Sequence, residues 1–231
     1  QLSMYAQYMK DFNDAHHLNI MAGYEWQKFH EKSDWYGTGY YQSEYLVPDY
    51  NRPYNMPSED AITKYKTENY LVSFFGRLNY SLLDRYLVTF TIRDDGSSRF
   101  HKDNRWGIFP SVALAWKINE EPFMKKLTSV SDMKLRLGWG ITGQQNVGGS
   151  AGDYYYLDTF APNKDHAYYP LFGDGTTARP DATNKELTWE KTTTWNAGLD
   201  LGFLNNRLTF SLDWYYRKTK DLINTVYVEA G

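Results

Sequence analysis

The sequence predicts an all-β fold, and more specifically a segment of an antiparallel transmembrane β-barrel. Three observations support this prediction. Apolar and polar residues alternate along several long segments, the connections between these segments are short or long in turn, and Phe, Trp and Tyr make up 18% of the residues. Tyr and Trp suit places where one end of a ring is apolar and the other is wet, such as a membrane interface or a carbohydrate-binding surface.

Eight segments are predicted to be strands, because residues of alternating polarity fall on opposite faces of a strand. Between 70 and 81, for example, Phe74 and Leu78 share one face, while Arg77 and Ser81 lie on the other. In chain order the predicted strands are 2–12, 17–29, 70–81, 86–93, 106–118, 133–142, 193–203 and 207–217.

The same pattern assigns residues to the two faces of the sheet. We expect the apolar face to contact outer-membrane lipid and the polar face to line a wet lumen. The residues expected to face lipid include Val72, Phe74, Phe90, Ile92, Leu114, Trp116, Leu137, Leu199, Phe210 and Leu212. The charged residues expected to face the lumen are Arg77, Arg93, Arg136, Asp200 and Asp213.

The lengths of the connections predict that one rim of the sheet carries short turns and the other carries long loops. Short turns are expected at 13–16, 82–85 and 204–206. Long loops are expected at 30–68, 94–105 and 143–190. On the short side, the connection 119–132 is expected to hold one short helix near 120–126, since Pro122 falls in its first turn, with acids before it and lysines after it. This layout is typical of outer-membrane barrels, whose short turns are periplasmic.

A soluble β-sandwich is the alternative, because its strands also alternate and bury one face. Seven of the eight predicted strands, however, reach or exceed the ~9–11 residues that cross a bilayer, whereas strands of globular sheets usually have ~5–6 residues. Aromatic residues also gather near strand ends, as with Trp26 and Phe29 or Tyr80 and Tyr86, which an aromatic girdle requires. Both features favour the membrane barrel.

Composition excludes several functions. The net charge of −3 provides no basic surplus to neutralise phosphates, which argues against a nucleic-acid partner. The absence of cysteine excludes disulfides and thiolate metal sites, and the sequence has no apolar run long enough for a transmembrane helix. We predict no catalytic residue, no metal site and no cofactor.

Four blocks of sequence carry a resemblance to a known family. They are NYLVSFFGRLNYSLLDRYLVTFTIRDDGSSRF at 69–100, NRWGIFPSVALAWKINEEPFMK at 104–125, SDMKLRLGWGITGQQNVG at 131–148 and ELTWEKTTTWNAGLDLGFLNNRLTFSLDWYYRKTKDLI at 186–223. In order and spacing they resemble the C-terminal barrel region of SusC/RagA-type TonB-dependent transporters of Bacteroidetes. The resemblance covers nearly all of the chain from about residue 16.

The resemblance implies a barrel of about 22 strands, an N-terminal plug, energy supplied through TonB, and a SusD-like surface lipoprotein that forms a lid over the extracellular mouth. Members of the family import glycans, or in some cases peptides, across the outer membrane. Residues 1–231 are therefore expected to be part of one transmembrane barrel domain. The plug, the TonB box and the final strand are expected in other parts of a longer chain.

The small side chains of the polar faces also favour a large barrel. An eight-stranded barrel fills its interior with its own side chains. The polar faces here are dominated by Gly, Ser and Thr, as at Ser73, Thr89, Gly138 and Ser211. These side chains are too small to fill an interior, so we expect a wider lumen that another segment occupies.

Aromatic residues in the long loops are the candidate contacts for substrate or for the lid. Aromatic rings stack on sugar faces and also act as interface anchors, and packing against the barrel rim is the alternative interpretation. The candidates are Trp35, Tyr36, Tyr40, Tyr41, Tyr45, Tyr154, Tyr155, Tyr156, Tyr168 and Tyr169. The acids beside them are Asp49, Asp153, Asp158 and Asp165.

Neither a possible nucleophile motif nor the histidines of the sequence support a catalytic or metal site. GGSAG at 148–152 matches a nucleophile elbow, but that motif needs a strand before it and a helix after it, so Ser150 is assigned to a loop. The five histidines show no metal-binding spacing.

The segment RDDGSSRF at 93–100 offers Asp94 and Asp95 as oxygen ligands for Ca²⁺. Asp and Gly also favour turn geometry where a strand enters a loop, and we predict such a turn here. Arg99 and Arg105 are expected to pair with the two carboxylates and stiffen the loop.

Two functions of different classes remain open. One is a TonB-driven nutrient importer that cleaves no bond, and the other is an enzyme or adhesin built on a small outer-membrane barrel. A soluble all-β binding domain is a more distant third. An upstream plug and a neighbouring gene for a SusD-like protein would support the importer, and a signal peptide just before Gln1 would support the small barrel.

Overall fold

The computed structural model describes residues 1–36, 62–127, 129–146, 154–163, 177–180 and 182–224. The chain divides into two compact units, one made of Gln1–Gln27 with Tyr70–Gly231 and one made of Lys28–Asn69. Within the second unit, the Glu68 carboxylate lies 2.9 Å from Lys28 Nζ and 3.1 Å from His30 Nδ1.

Ten strands lie in the described part of the chain. They are β1 Leu2–Asn13, β2 His16–Tyr36, β3 Ile62–Leu82, β4 Tyr86–Ser97, β5 Trp106–Lys117, β6 Val130–Gln144, β7 Phe160–Asn163, β8 Thr177–Pro180, β9 Glu190–Phe203 and β10 Leu208–Lys220. Eight of them form one sheet in the order β1-β2-β3-β4-β5-β6-β9-β10. This confirms the eight strands predicted from alternation. Within the described ranges, no helix is long and apolar enough to span a membrane.

The antiparallel register places the apolar residues on one continuous face. Directly opposed residues of an antiparallel pair share a face, and Phe90 lies opposite Val112, which lies opposite Trp139, which lies opposite Trp195. The same register puts Arg136 of β6 opposite Gly198 of β9, on the other face. The apolar and polar sets predicted from the sequence therefore each occupy one face.

The short turns share one rim of the sheet, as predicted. The backbone N–H of Leu83 donates to the carbonyl of Ala15 at 2.6 Å, and that of Leu204 donates to Ser129 at 3.2 Å. Leu83 has a left-handed φ of 53°, a conformation in which non-glycine residues are uncommon. The tight hairpin geometry therefore overrides the preference of this leucine.

The connection between β5 and β6 differs from the prediction. In place of one helix near 120–126 it contains two 3₁₀ turns, Ile118–Glu120 and Met124–Lys126. Glu121 between them is extended, with φ −74° and ψ 143°, because a residue that precedes proline is disfavoured in the helical region. Pro122 therefore separates two turns and does not start one helix.

Two of the predicted long loops contain more strand than expected. β2 runs on to Tyr36, β3 begins at Ile62, and the small hairpin β7–β8 pairs Phe160 with Pro180 and Asn163 with Thr177. In sequence these segments are either rich in polar residues or only four residues long, so they offer too little apolar–polar alternation for a strand to be predicted.

The turn predicted at RDDGSSRF lies later in that segment than Asp94, Asp95 and Gly96, at 98–99, because β4 continues through Ser97 and pairs with β5. Gly96 lies opposite Trp106, whose ring fills the space above it: a Cβ added to Gly96 would lie 2.9 Å from the ring. Cross-strand pairing therefore outweighs the local turn propensity of Asp and Gly. Asp95 pairs with Arg93 within its own strand, at 2.7 Å, and not with Arg99 or Arg105 as predicted.

Candidate functional site

The polar face carries a first cluster of charged residues around Arg93. Its Nη2 donates to Glu25 Oε2 of β2 at 2.9 Å and to Ser73 Oγ of β3 at 2.8 Å, and its Nε donates to Asp95 Oδ1 at 2.7 Å. The guanidinium carbon lies 5.8 Å from the centre of the Phe75 ring. Three neighbouring strands thus meet at one arginine, and we call this group the Arg93 cluster.

A second group, the Arg136 cluster, joins β6, β9 and β10. Arg136 makes a bidentate pair with Asp200 at 2.8 and 2.9 Å, and its Nη2 lies 3.1 Å from Asp213 Oδ1. Ser211 Oγ donates to Asp200 Oδ1 at 2.7 Å. The pair with Asp213 passes over Gly198, where an added Cβ would lie 2.6 Å from Asp213 Oδ1 and 2.8 Å from Arg136 Cζ.

The chemistry of both clusters favours structural bridging over catalysis. Each guanidinium contacts two carboxylates and a hydroxyl, so its Nε and Nη2 donors are used by the protein itself. Both arginine side chains are about one-third exposed, at 33%. They hold three strands in register on a face that remains open to water.

An aromatic core lies at the long-loop end of the sheet. Phe100, Phe109 and Trp189 are buried, the Trp189 ring lies 5.4 Å from Phe100 and 5.2 Å from Phe109, and its Nε1 donates to the Arg105 carbonyl at 2.9 Å. This core was not predicted from the alternation pattern. The available signal was the adjacent apolar pair Ile108 and Phe109, which breaks the alternation of β5.

Two of the candidate tyrosines pack beside this core. The Tyr154 hydroxyl lies 3.3 Å from Ser98 Oγ, and the Tyr156 hydroxyl donates to the Ser98 carbonyl at 3.4 Å. The Tyr156 ring meets the His101 ring edge-on at 5.7 Å. The carbonyl of Tyr155 accepts from the Asn184 N–H at 2.9 Å. These contacts attach the residues before β7 to the connection between β4 and β5 and, through Asn184, to the segment before β9.

Several other candidates cannot be placed against this group. Trp35 and Tyr36 form the end of β2, but their side chains lie outside the described part of the structure. Also outside it are Tyr40, Tyr41, Tyr45, Tyr168, Tyr169, Ser150, Asp49, Asp153 and Asp165. Among the acids, Asp158 is described, and its carboxylate lies 3.1 Å from Lys185 Nζ.

The described part of the long-loop rim provides half-buried aromatic rings and hydroxyl groups. Such groups can stack on a ligand and hydrogen-bond to it. In the part of the chain that the structure describes, no group of three or more His, Asp or Glu side chains could hold a metal ion.

The short-turn rim holds a different arrangement on the apolar face. Glu121 is buried, at 8% exposed, and it accepts hydrogen bonds from the Tyr86 hydroxyl at 2.5 Å and from Trp116 Nε1 at 3.0 Å. These donors, with the charge of Arg85 at 3.7 Å, hold the pKa of the Glu121 carboxyl below its usual value. The Tyr86 and Trp116 rings stack with centroids 6.2 Å apart.

Comparison with known proteins gives consistent matches. Residues 3–231 match the family model described as TonB dependent receptor-like, beta-barrel. The chain is 53% identical to the TonB-dependent receptor SusC of Bacteroides thetaiotaomicron, over 99% of this chain and 22% of that protein. It is 35% identical to the TonB-dependent receptor P39 of Formosa agariphila, over 95% of this chain and 20% of that protein.

A solved structure shows the same arrangement of strands. The structure of the RagAB peptide transporter superposes with a TM-score of 0.74 at 25% identity, covering 95% of this chain and 23% of that one. The chain thus spans about a fifth of the length of the relatives it matches. The resemblance to SusC/RagA-type transporters predicted from the four sequence blocks is confirmed.

Proposed function

The chain belongs to the TonB dependent receptor-like β-barrel family, and on this basis we propose that it forms part of an outer-membrane importer of oligomeric nutrients. In this proposal the energy comes from TonB, a SusD-like lipoprotein covers the extracellular mouth, and no bond of the nutrient is cleaved. The nutrient is a glycan or a peptide.

The observation that carries the proposal is the exposure of the apolar face on strands that have neighbours on both sides. Phe90, Leu114 and Leu137 lie on the inner strands β4, β5 and β6, yet they are 42%, 43% and 44% exposed. Water-soluble domains rarely expose a contiguous apolar surface of this kind. A lipid-facing barrel wall requires it.

The opposite face supports a lumen that admits water. It combines the two charge-paired clusters with small side chains such as Thr89, Gly138 and Thr209, which leave room beside the sheet. Hydrated interiors of this kind belong to large barrels, whereas small barrels fill their interior with side chains. This favours passage of a solute over the alternative of a small barrel enzyme or adhesin.

The long-loop rim supports capture of substrate on the side opposite the short turns. The half-buried rings of Tyr154 and Tyr156 lie there, and they are proposed to contact substrate or the lipoprotein, together with Trp35, Tyr36, Tyr40, Tyr41, Tyr155, Tyr168 and Tyr169. Aromatic rings offer stacking faces to sugars and anchoring contacts to a partner protein.

Uptake by cells that carry the full-length gene tests the proposal. We expect growth on an oligosaccharide or an oligopeptide as sole nutrient to require both this gene and TonB, and deletion of residues 150–169 to impair growth while surface expression stays normal, because loop changes are tolerated by the scaffold. Separate cultures on the two nutrient classes distinguish glycan from peptide. Full growth without TonB, or hydrolysis of the nutrient by the purified protein, would reject the importer.

A further inference from the structure

The apolar face contains a cleft close to the short-turn rim. Its volume is about 470 Å³, and its walls include Tyr86, Val88, Leu114, Trp116, Leu135 and Leu137. The polar atoms of the two aromatic walls, the Tyr86 hydroxyl and Trp116 Nε1, are both bound to Glu121. The rings therefore present apolar surface to whatever occupies the cleft.

The segment that follows Glu121 is amphipathic and exposed. Met124 N–H donates to the Glu121 carbonyl at 3.0 Å, and Leu127 N–H donates to the Met124 carbonyl at 2.8 Å, so the segment is joined to Glu121, which holds two walls of the cleft. Phe123 and Leu127 are 59% and 54% exposed. Exposed apolar side chains next to a lipid-facing surface are suited to the boundary between headgroups and acyl chains.

Two basic residues lie within the same segment. Lys125 and Lys126 occupy the last turn of the 3₁₀ segment Met124–Lys126, both are exposed, and neither makes an ion pair with another described residue. By contrast, the nearby Arg85 and Glu121 offset each other at 3.7 Å. Two ammonium groups in a segment joined, through Glu121, to the aromatic walls of an apolar cleft match a ligand with an anionic head and an apolar tail.

We propose that this cleft is a specific site for an anionic glycerophospholipid, with an acyl chain along Leu114 and Leu137 and the phosphate at Lys125 and Lys126. The occupant belongs to the inner leaflet, because short turns of outer-membrane barrels are periplasmic. The inference rests on the proposed membrane location, and it adds a defined lipid to a surface that would otherwise exchange lipids freely.

The test uses the full-length protein purified in a mild detergent and titrated with phosphatidylglycerol or with phosphatidylcholine. Bound lipids are counted by native mass spectrometry, and folding is checked by heat-modifiable gel mobility. We expect one molecule of phosphatidylglycerol to bind per protein, with a higher affinity than phosphatidylcholine. The double variant Lys125→Gln/Lys126→Gln should weaken the binding of phosphatidylglycerol by roughly thirtyfold, because each lysine near an anionic headgroup raises the affinity by about fivefold.

Two controls separate this site from general lipid contact. Lys218→Gln/Lys220→Gln removes two exposed lysines from the opposite end of the sheet, where β10 ends, and should leave binding unchanged. Leu137→Trp narrows the cleft without changing its charge and should weaken the binding of phosphatidylglycerol. Equal loss in the two lysine double variants, or equal affinity for both lipids, overturns the proposal. Recovery of the protein outside the outer-membrane fraction refutes the membrane location instead.

Discussion

The two faces of the sheet are stabilised by different interactions. On the apolar face, rings and aliphatic side chains meet in pairs such as Tyr24 with Phe74, whose centroids are 5.3 Å apart, and many of these residues are exposed in the isolated chain. On the polar face, strong contacts concentrate at two arginines, each bound to partners from neighbouring strands. One face has many weak and similar contacts, and the other has a few specific ones.

This difference indicates which face tolerates change. An apolar contact depends on the surrounding solvent, so any apolar side chain of similar size can replace another if lipid remains outside. A charge cluster depends on particular partners at particular positions, so the loss of one member leaves the others unpaired. Four substitutions test this contrast, from the largest expected effect to the smallest.

A charge on the apolar face should have the largest effect. Phe90→Arg places a guanidinium near the middle of the face proposed to contact lipid and should lower the free energy of unfolding by ~2–4 kcal/mol. Urea titration of the full-length protein in lipid vesicles measures this change in the free energy of unfolding. Thr89→Arg is the matched control, because Thr89 is the adjacent residue on the polar face, and it should cost under ~1 kcal/mol. Similar costs for both variants would mean that the faces do not differ in environment.

Removal of the central arginine from one cluster should have the next largest effect. Arg136→Met leaves Asp200 and Asp213 without their common partner and should cost about 1–2 kcal/mol, since the group is only partly buried. Arg77→Met is the control on the same face, because the Arg77 contact to Thr91 Oγ1 is long, at 3.4 Å. The same titration should find a cost under ~0.5 kcal/mol there. Equal losses would show that the cluster is no more specific than an exposed arginine.

A methyl group beneath the ion pair should have a smaller effect. In Gly198→Ala the new Cβ meets Asp213 Oδ1 and Arg136 Cζ at 2.6 and 2.8 Å, and the ends of both side chains must move, at about 1 kcal/mol. In Gly138→Ala, also on the polar face, the nearest atom is Asn196 Cβ at 3.7 Å. That substitution should be neutral or slightly stabilising. The unfolding midpoints of the Gly198→Ala and Gly138→Ala variants are compared. A lower midpoint for Gly198→Ala alone would show that the ion pair between Arg136 and Asp213 requires glycine at position 198.

The smallest effect concerns the carboxylate on the apolar side of the short-turn rim. The pKa of Glu121 in the folded protein lies below its ordinary 4.5, so its stabilising contribution is present above pH 4.5 and is lost as the pH falls through the folded-state value. Glu121→Gln should therefore flatten the decline of stability below pH 4.5. Glu120→Gln, at its exposed neighbour, should leave that decline unchanged. Unfolding midpoints at acidic and neutral pH make the comparison, and identical pH profiles for the two variants would contradict it.

Much of this fold could be predicted from the sequence, because each strand carries its own pattern of alternation. The turn at 82–85 and the faces of Phe90 and Arg93 follow from residues within a few positions of each other. Where local signals conflict with pairing to a neighbour, the prediction fails. Gly96 looks like a turn residue, and it becomes a strand residue because Trp106 of β5 covers it.

The contacts at the candidate site were less predictable, because they join residues that are distant in sequence. Arg93 and Glu25 are 68 positions apart, and Trp189 reaches the Arg105 carbonyl across 84 positions. The polar-face position of Arg93 was expected, but its partners depend on which strands become neighbours. The function of the loop tyrosines remains a prediction, because the contacts of Tyr154 and Tyr156 that the structure shows are to Ser98 and His101 of the same chain.

The hydrogen bonds between successive turns have a consequence for protein engineering. Leu83 N–H binds the Ala15 carbonyl, Lys117 N–H binds the Arg85 carbonyl, and Leu204 N–H binds the Ser129 carbonyl. Each hairpin thus carries its own connector to the next one at the short-turn rim, independently of the loops at the opposite end. A hairpin with its turn is therefore a natural unit for recombination: chimeras cut in the long loops should keep these connectors, whereas cuts in the short turns should destroy them.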